Sequence, residues 1–377
     1  MALSSLFTEI SYDDLTGWRQ DDPAPAFAAF RRSAFRSLEK PYRTGALGID
    51  AGSFSEAFAE ARALPEAEPE DARAFFERFF VPHRVAPDGR EHGFVTGFYE
   101  PEVEASPVRT ELFRFPLLTR PADLVDVGDA NRPVALDPYF AFGRQTAEGI
   151  VEYHDRSAIE QGALAGKGLE IAWLADAVDA FFIHVQGAAR LAMTDGSTKR
   201  VTYAAKTGHR FTGAGSVLVE LGELTLAEVT MQSIRAWFRE NPARIDEILW
   251  RNRSYIFFRE APVGDDSLGP IAAAKVPLAP GRSIAVDRLL HTFATPFFID
   301  APTLQAFGGG AFRRLMIAQD TGSAITGPAR GDLFAGSGQA AGEIAGVVRH
   351  PADFIALVPR SLVTGALVTG SLVTRGR

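Results

Sequence analysis

Short apolar runs, cut at close intervals by glycine, proline and aspartate, occupy residues 103–203 and return from Ser254 to about Leu357. Runs of this length read as strands, because an amphipathic helix needs a longer apolar period to bury one face. Strand and helix patterns do not alternate, which argues against a parallel βαβ sheet, and interleaved short strands with turns favour a barrel. The expected fold class is mainly β with a few helices. Those helices begin at Ser53–Glu56, a capping box with Phe54, Ala57, Phe58 and Ala61 on one face, and at Asp71–Phe80. A polar helix is expected over Ser157–Leu164. Thr225–Glu228 reads as the cap of a long helix lined by Met231, Ile234 and Phe238, and Asn241-Pro242 starts another that reaches about Trp250. Asp179-Ala-Phe-Phe-Ile-His-Val-Gln-Gly187 reads as a buried strand.

At 377 residues the chain has room for two domains, or for one with an insertion. Its net charge of −8 is spread out and no Lys/Arg cluster stands apart, so nucleic acid is not an expected partner. Cysteine is absent, which removes disulfides, thiolate chemistry and Cys-ligated zinc. No apolar run reaches the length of a membrane span, and the first ten residues lack the basic and apolar regions of a signal peptide. Phenylalanine is abundant, 29 against 7 Tyr and 4 Trp, and its pairs at 75–76, 79–80, 181–182, 257–258 and 297–298 read as core. The repetitive stretch 361–377 reads as a low-complexity tail outside the fold.

The segment Leu315-Met-Ile-Ala-Gln-Asp320-Thr-Gly-Ser, continuing to Arg330-Gly-Asp332-Leu-Phe-Ala-Gly336, sets two aspartates at the edges of apolar runs. Burial there raises a carboxyl's pKa toward working pH, which suits acid/base chemistry. Asp320-Thr-Gly-Ser also resembles the tetrapeptide of pepsin-like proteases. That chemistry needs two such motifs facing each other, and this is the only Asp-Thr/Ser-Gly here. The seven histidines lack metal-ligand spacing, so no metal or other cofactor is expected. Gly308-Gly-Gly310 lacks the Gly-Lys-Ser/Thr of a phosphate loop, and no Gly-x-Ser-x-Gly elbow occurs. Carboxylate chemistry on a polysaccharide remains, with Tyr99, Glu100, Gln186 and Asp332 at the ends of separate segments as candidates.

The ordered blocks Thr96-Gly-Phe-Tyr-Glu-Pro101, Tyr153-His-Asp-Arg156, Asp179–Gly187, Asn252–Arg259, Gly281–Asp287 and Ala318–Gly336 resemble the membrane-bound lytic murein transglycosylase A family from about Arg90 to Pro359. The resemblance implies a double-psi β-barrel from residues 1–103 and 260–360, including a three-aspartate region at 281–340. A smaller β-domain, 104–259, is inserted, and a groove lies between the two. It further implies cleavage of the N-acetylmuramic acid to N-acetylglucosamine linkage in peptidoglycan strands, with a 1,6-anhydro product. Asp332 would be the single acid then base, Asp320 would shape its environment, and Asp287 would support it. Thr96, Tyr99, Glu100 and Gln186 would bind substrate. The implied protein is a monomer, periplasmic or attached to the outer membrane. This chain departs from the family at Ser323, Ala188-Ala189, Arg253 and 291–296, and it lacks the family's lipid-anchoring cysteine. Two other readings stand beside this one: a non-catalytic glycan-binding module, and a two-carboxylate glycosidase that uses Glu100 or Asp320.

Overall fold

The structure, a computed structural model, describes residues 2–64 and 66–363. Interlocked phenylalanines organise its start. After β1 (Phe7–Glu9) come α1 (Ala24–Arg36), α2 (Ser55–Ala63) and α3 (Pro69–Phe79), which runs straight into β2 (Phe80–Val85). Helix α1 is an addition to the expected pair. Its prolines, 23 and 25, sit at the first turn, where a missing N–H leaves no bond unmade. Phe30 of α1 meets the rings of Phe54, Phe58, Phe75, Phe76 and Phe80 at centroid separations of 5.2 to 6.4 Å. Each such ring contributes roughly 2–3 kcal/mol on leaving water. The expected Ser53 capping box does not form. Instead Asp50 caps a 3-10 turn, Ala51–Phe54, by accepting from the Gly52 N–H at 2.9 Å, and α2 follows. Phe54, Ala57, Phe58 and Ala61 are buried, as their spacing requires.

Strand β3 (Gly93–Glu100) leads into Glu100–Gly264, which forms a compact unit of its own. Its strands are β4 (Glu102–Ser106), β5 (Phe115–Leu118), β6 (Leu124–Asp126), β7 (Phe142–Thr146), β8 (Gly149–Val151), β9 (Glu170–Leu174), β10 (Ala188–Met193), β11 (Thr198–Lys206) and β12 (Ile256–Glu260). Six of them form one sheet in the order β12-β11-β10-β4-β9-β5, and a bridge from Thr119 to Phe258 draws its two edges together. Leu117, Leu174, Ile183, Leu191, Val201 and Phe258 pack into its core. A separate antiparallel sheet holds β6, β7 and β8.

Helices α4 (Arg156–Ala158), α5 (Ala177–Gln186), α6 (Ala214–Glu220), α7 (Met231–Glu240) and α8 (Ile245–Leu249) complete this unit, and a π turn over Ile159–Ala163 extends α4. Helix α5 corrects the expected strand at 179–187. The Asp176 carboxylate accepts from the N–H groups of Val178 (2.7 Å) and Asp179 (3.0 Å), and Gly187 closes the helix at φ +77°. Phe181-Phe182-Ile183-His184 is buried throughout, so no helical period shows in the sequence. Helix α7 also starts later than expected. Thr225 and Glu228 bond each other in a turn, but the cap is Thr230, whose Oγ1 accepts from the Ser233 N–H at 3.0 Å.

The chain then supplies β13 (Ser283–Val286), β14 (Pro296–Ala301), β15 (Phe312–Asp320), β16 (Arg330–Ser337), α9 (Gly338–Val347) and β17 (Arg349–Pro359). Together with residues up to Tyr99 they form the second compact unit. Six strands close a ring in the order β17-β14-β15-β13-β16-β3, completed by β17 pairing with β3 from Arg349↔Thr96 to Ala352↔Gly93. Closure leaves these strands without open edges. Strands β2 and β1 extend the sheet beyond β17. Ile284, Phe297, Met316, Leu333 and Ala356 share one buried face of the ring, and Phe298, Leu315 and Ile317 share the opposite face, which is also buried. Of the expected tail, Leu362 and Val363 pack against this core, and residues 364–377 lie outside the described part of the chain.

Candidate active site

Strand β13 is short and central, and the two aspartates flank it. Ala285 pairs with Asp320 of β15 on one side and with Asp332 of β16 on the other. Each neighbouring strand adds one inter-strand spacing, so the two aspartates stand about 10 Å apart along the sheet. The β13–β15 pairing is parallel and shifts register between Ile284 and Ala285, which brings Asp320 level with Asp332. Both residues are partly buried.

Cross-strand pairs hold Asp332. Phe94, Thr96 and Phe98 of β3 share one face, as do Arg330, Asp332 and Phe334 of β16, and the two sets meet in step. The Arg330 guanidinium lies 5.7 Å from the Phe94 ring centre, and the Phe98 and Phe334 rings stand 5.2 Å apart. Between them the Thr96 hydroxyl donates to Asp332 Oδ1 at 2.5 Å, and Arg330 Nη2 donates to Thr96 Oγ1 at 2.7 Å. Among the described residues, Thr96 is the only hydrogen-bond partner of this carboxyl. Burial pushes the Asp332 pKa up, opposed by the Arg330 charge and the Thr96 hydrogen bond.

Asp320 is pushed up to about 6, chiefly by burial. The backbone N–H groups of Thr321 and Ala273 pull it down, the Asp332 charge pushes it up, and Lys275 pulls it down. The Ala273 N–H reaches Asp320 Oδ1 at 3.1 Å from a turn whose Ala274 N–H bonds the Gln319 carbonyl at 3.0 Å. Lys275 in that turn has φ +63°, a conformation uncommon outside glycine. Asp287 does not join the pair. Its carboxylate accepts from the N–H groups of Leu289 and Gly327, both at 3.0 Å, and so ties down the loop between Asp320 and Arg330. His291 Nε2 donates to the Pro328 carbonyl in the same loop at 2.8 Å.

The other candidates have different surroundings. The buried Tyr99 ring lies on Gly342 of α9, where a Cβ would come within 2.8 Å of Tyr99 Cε2. Glu100 is fully buried. Arg200 donates to both of its oxygens, at 2.7 and 2.6 Å, and Arg190 donates to Oε2 at 3.1 Å. Gln186 ends helix α5 rather than a strand, and is partly exposed. Arg330 and the Ala273–Lys275 turn are additions to the expected set. Arg330 is two residues from Asp332 in the sequence, so the strand period alone points to it, whereas the turn has no local signal. Among the described residues no cluster of three or more metal-ligating side chains occurs.

A closed ring of strands that presents a pair of interacting, partly buried carboxyls defines a β-barrel protein with a carboxylate-centred site. Comparison with known sequences and structures narrows this class. Residues 94–259 match the family model described as the MltA specific insert domain, and residues 282–358 match the 3D domain. The crystal structure of the membrane-bound lytic murein transglycosylase from Agrobacterium tumefaciens shares 52% identity, covers 95% of this chain and 99% of that one, and superposes with a TM-score of 0.90. MltA from Neisseria gonorrhoeae shares 33% identity over 94% and 92% of the two chains, with a TM-score of 0.76. A curated relative, the membrane-bound lytic murein transglycosylase A of Vibrio cholerae, is 34% identical over 201 residues, 52% of this chain. The match spans about half, 53%, of that relative's length. The chain belongs to the membrane-bound lytic murein transglycosylase A (MltA) family. Among the described residues no helix is long and apolar enough to cross a membrane.

Proposed function

We propose that this protein is a lytic transglycosylase that cleaves the β-1,4 bond between N-acetylmuramic acid and N-acetylglucosamine in peptidoglycan. The observation that carries this reading is Asp332 itself: a partly buried carboxyl, raised in pKa, with a single neutral hydroxyl bonded to one oxygen and the other oxygen open. Protonated Asp332 gives its proton to the bridging oxygen as the bond to C1 breaks, and positive charge develops at C1. The resulting carboxylate takes the proton of the muramic acid C6 hydroxyl while O6 bonds to C1. The products are a 1,6-anhydro sugar and a free C4 hydroxyl, and Asp332 ends protonated, ready to repeat. One carboxyl serves both steps because an internal hydroxyl replaces water, and proximity makes that attack efficient.

Asp320 supports the cycle through its field. When ionised it disfavours the carboxylate form of Asp332, which keeps the acid protonated. Asp287 holds the intervening loop. Tyr99 and Gln186 remain candidates for sugar contact, and Glu100 supports the start of the inserted unit through its two arginines. A periplasmic or outer-membrane setting follows from the substrate.

Digestion of purified murein sacculi, with products read by mass spectrometry, tests the proposal. Soluble muropeptides ending in 1,6-anhydro-muramic acid are expected. Reducing ends would mean a hydrolase, and binding without soluble product would mean a glycan-binding module.

A further inference from the structure

We infer that Arg330 is a positioning residue that acts through the Thr96 hydroxyl to decide which oxygen of Asp332 carries the proton. The inference rests on the reading of Asp332 as the acid. A guanidinium only donates, so the Thr96 oxygen must accept from Arg330 Nη2 at 2.7 Å. The hydroxyl has one hydrogen, and Asp332 Oδ1 at 2.5 Å is the acceptor that lies in reach. The direction of the chain is therefore set: Arg330 to Thr96 to Oδ1. A proton on Oδ1 would give Thr96 a second donor and leave its own hydrogen without a partner. The proton of the acid form belongs on Oδ2, the oxygen with no protein bond among the described residues.

The arrangement has a second effect. A donor to the charged form favours it, so the relay steadies the carboxylate that must exist between the two proton transfers. Direct bidentate contact with an arginine would hold the carboxyl ionised and end its use as an acid. Placing one hydroxyl between the two avoids this. Arg330 is kept in place by the Phe94 ring, 5.7 Å away, and by the Gly331 carbonyl, to which its Nη1 donates. The other charged groups around this corner are Asp320, Lys275, Arg90 and Arg349, the last paired in register with Thr96.

The test is titration of Asp332 by carbon NMR in protein labelled at the aspartate carboxyls, with its signal assigned from Asp332→Asn. Thr96→Val and Arg330→Met are each expected to raise its midpoint by about one pH unit. The double variant should raise it little further than the larger single change, because both act on one path. Thr96→Ser, which keeps the hydroxyl, should leave the midpoint unchanged, and Arg330→Lys should raise it less than Arg330→Met does. The alkaline limb of the kcat profile should move with the midpoint, which a merely structural role would not produce. Additive shifts in the double variant, or no shift in Arg330→Met, would overturn the relay. The titration reads the carboxyl and not turnover, so it stands even if Asp332→Asn proves active and the functional reading falls.

Discussion

Glu100 and Asp332 are the two candidate acids whose surroundings differ most. Each is an acid in a β-rich unit with an arginine close by. Glu100 is fully buried, and two guanidinium groups contact its oxygens, one of them in bidentate fashion. Asp332 is partly open and receives one bond from a neutral hydroxyl, with its arginine a step further away. Glu100 has the contacts of a structural acid, and those of Asp332 suit the acid/base role proposed for it. The separation lies in whether counter-charge touches the carboxyl or is held back by one atom.

The largest effect that sharpens this comparison is expected from Asp332→Asn. Turnover of sacculi should fall by about 10²–10⁴-fold, the usual worth of a general acid, with the urea midpoint close to that of the parent. Activity within a few-fold of the parent would remove Asp332 from the reaction. Glu100→Gln should act on the other side of the comparison. It removes the charge that Arg190 and Arg200 both contact, and a stability loss of about 3–5 kcal/mol is expected by denaturant melting. A loss below about 1 kcal/mol would mean that Glu100 is not a structural acid.

Asp320→Asn should give the smallest change, and with the opposite sign. A carboxyl raised from 3.8 to about 6 in the fold resists ionisation, so its stability contribution is complete below pH 3.8 and lost as pH rises through about 6. By the ordinary conversion this is up to roughly 3 kcal/mol at neutral pH, less whatever solvent screening removes. The variant should therefore be more stable than the parent at pH 8 and nearly equal at pH 4, measured by urea unfolding at both. Equal stability at both would show that Asp320 is not strained by ionising.

Much of this was legible in the residues. The segments that hold Thr96 and Asp332 both stand out in the sequence, and the two-residue strand period groups Thr96 with Phe94 and Phe98, and Asp332 with Arg330 and Phe334. What could not be read was anything that depended on a remote partner. Helix α9 carries Gly338 and Gly342, and glycines argue locally against a helix. Gly342 is needed because the Tyr99 ring occupies the place of its side chain, and Tyr99 is 243 positions away. Helix α5 hid its period because it is buried through most of its circumference. The arginines that bond Glu100 lie 90 and 100 positions further on, with nothing local to mark them.

The pairing of β17 with β3 also governs the order in which the molecule can be built during synthesis. Strand β3 leaves the ribosome early, but the strand that completes its ring is made some 250 residues later. At ordinary rates of elongation that is a wait on the order of 10–50 seconds. Residues 100–264 fall within the wait and have a core of their own, so they can fold while β3 still lacks its partner. Until β17 arrives, β3 has an unpaired edge, the kind of surface that chaperones cover and that aggregation exploits. The Asp332 carboxyl on β16 therefore stands in a closed ring only after the last strand is made.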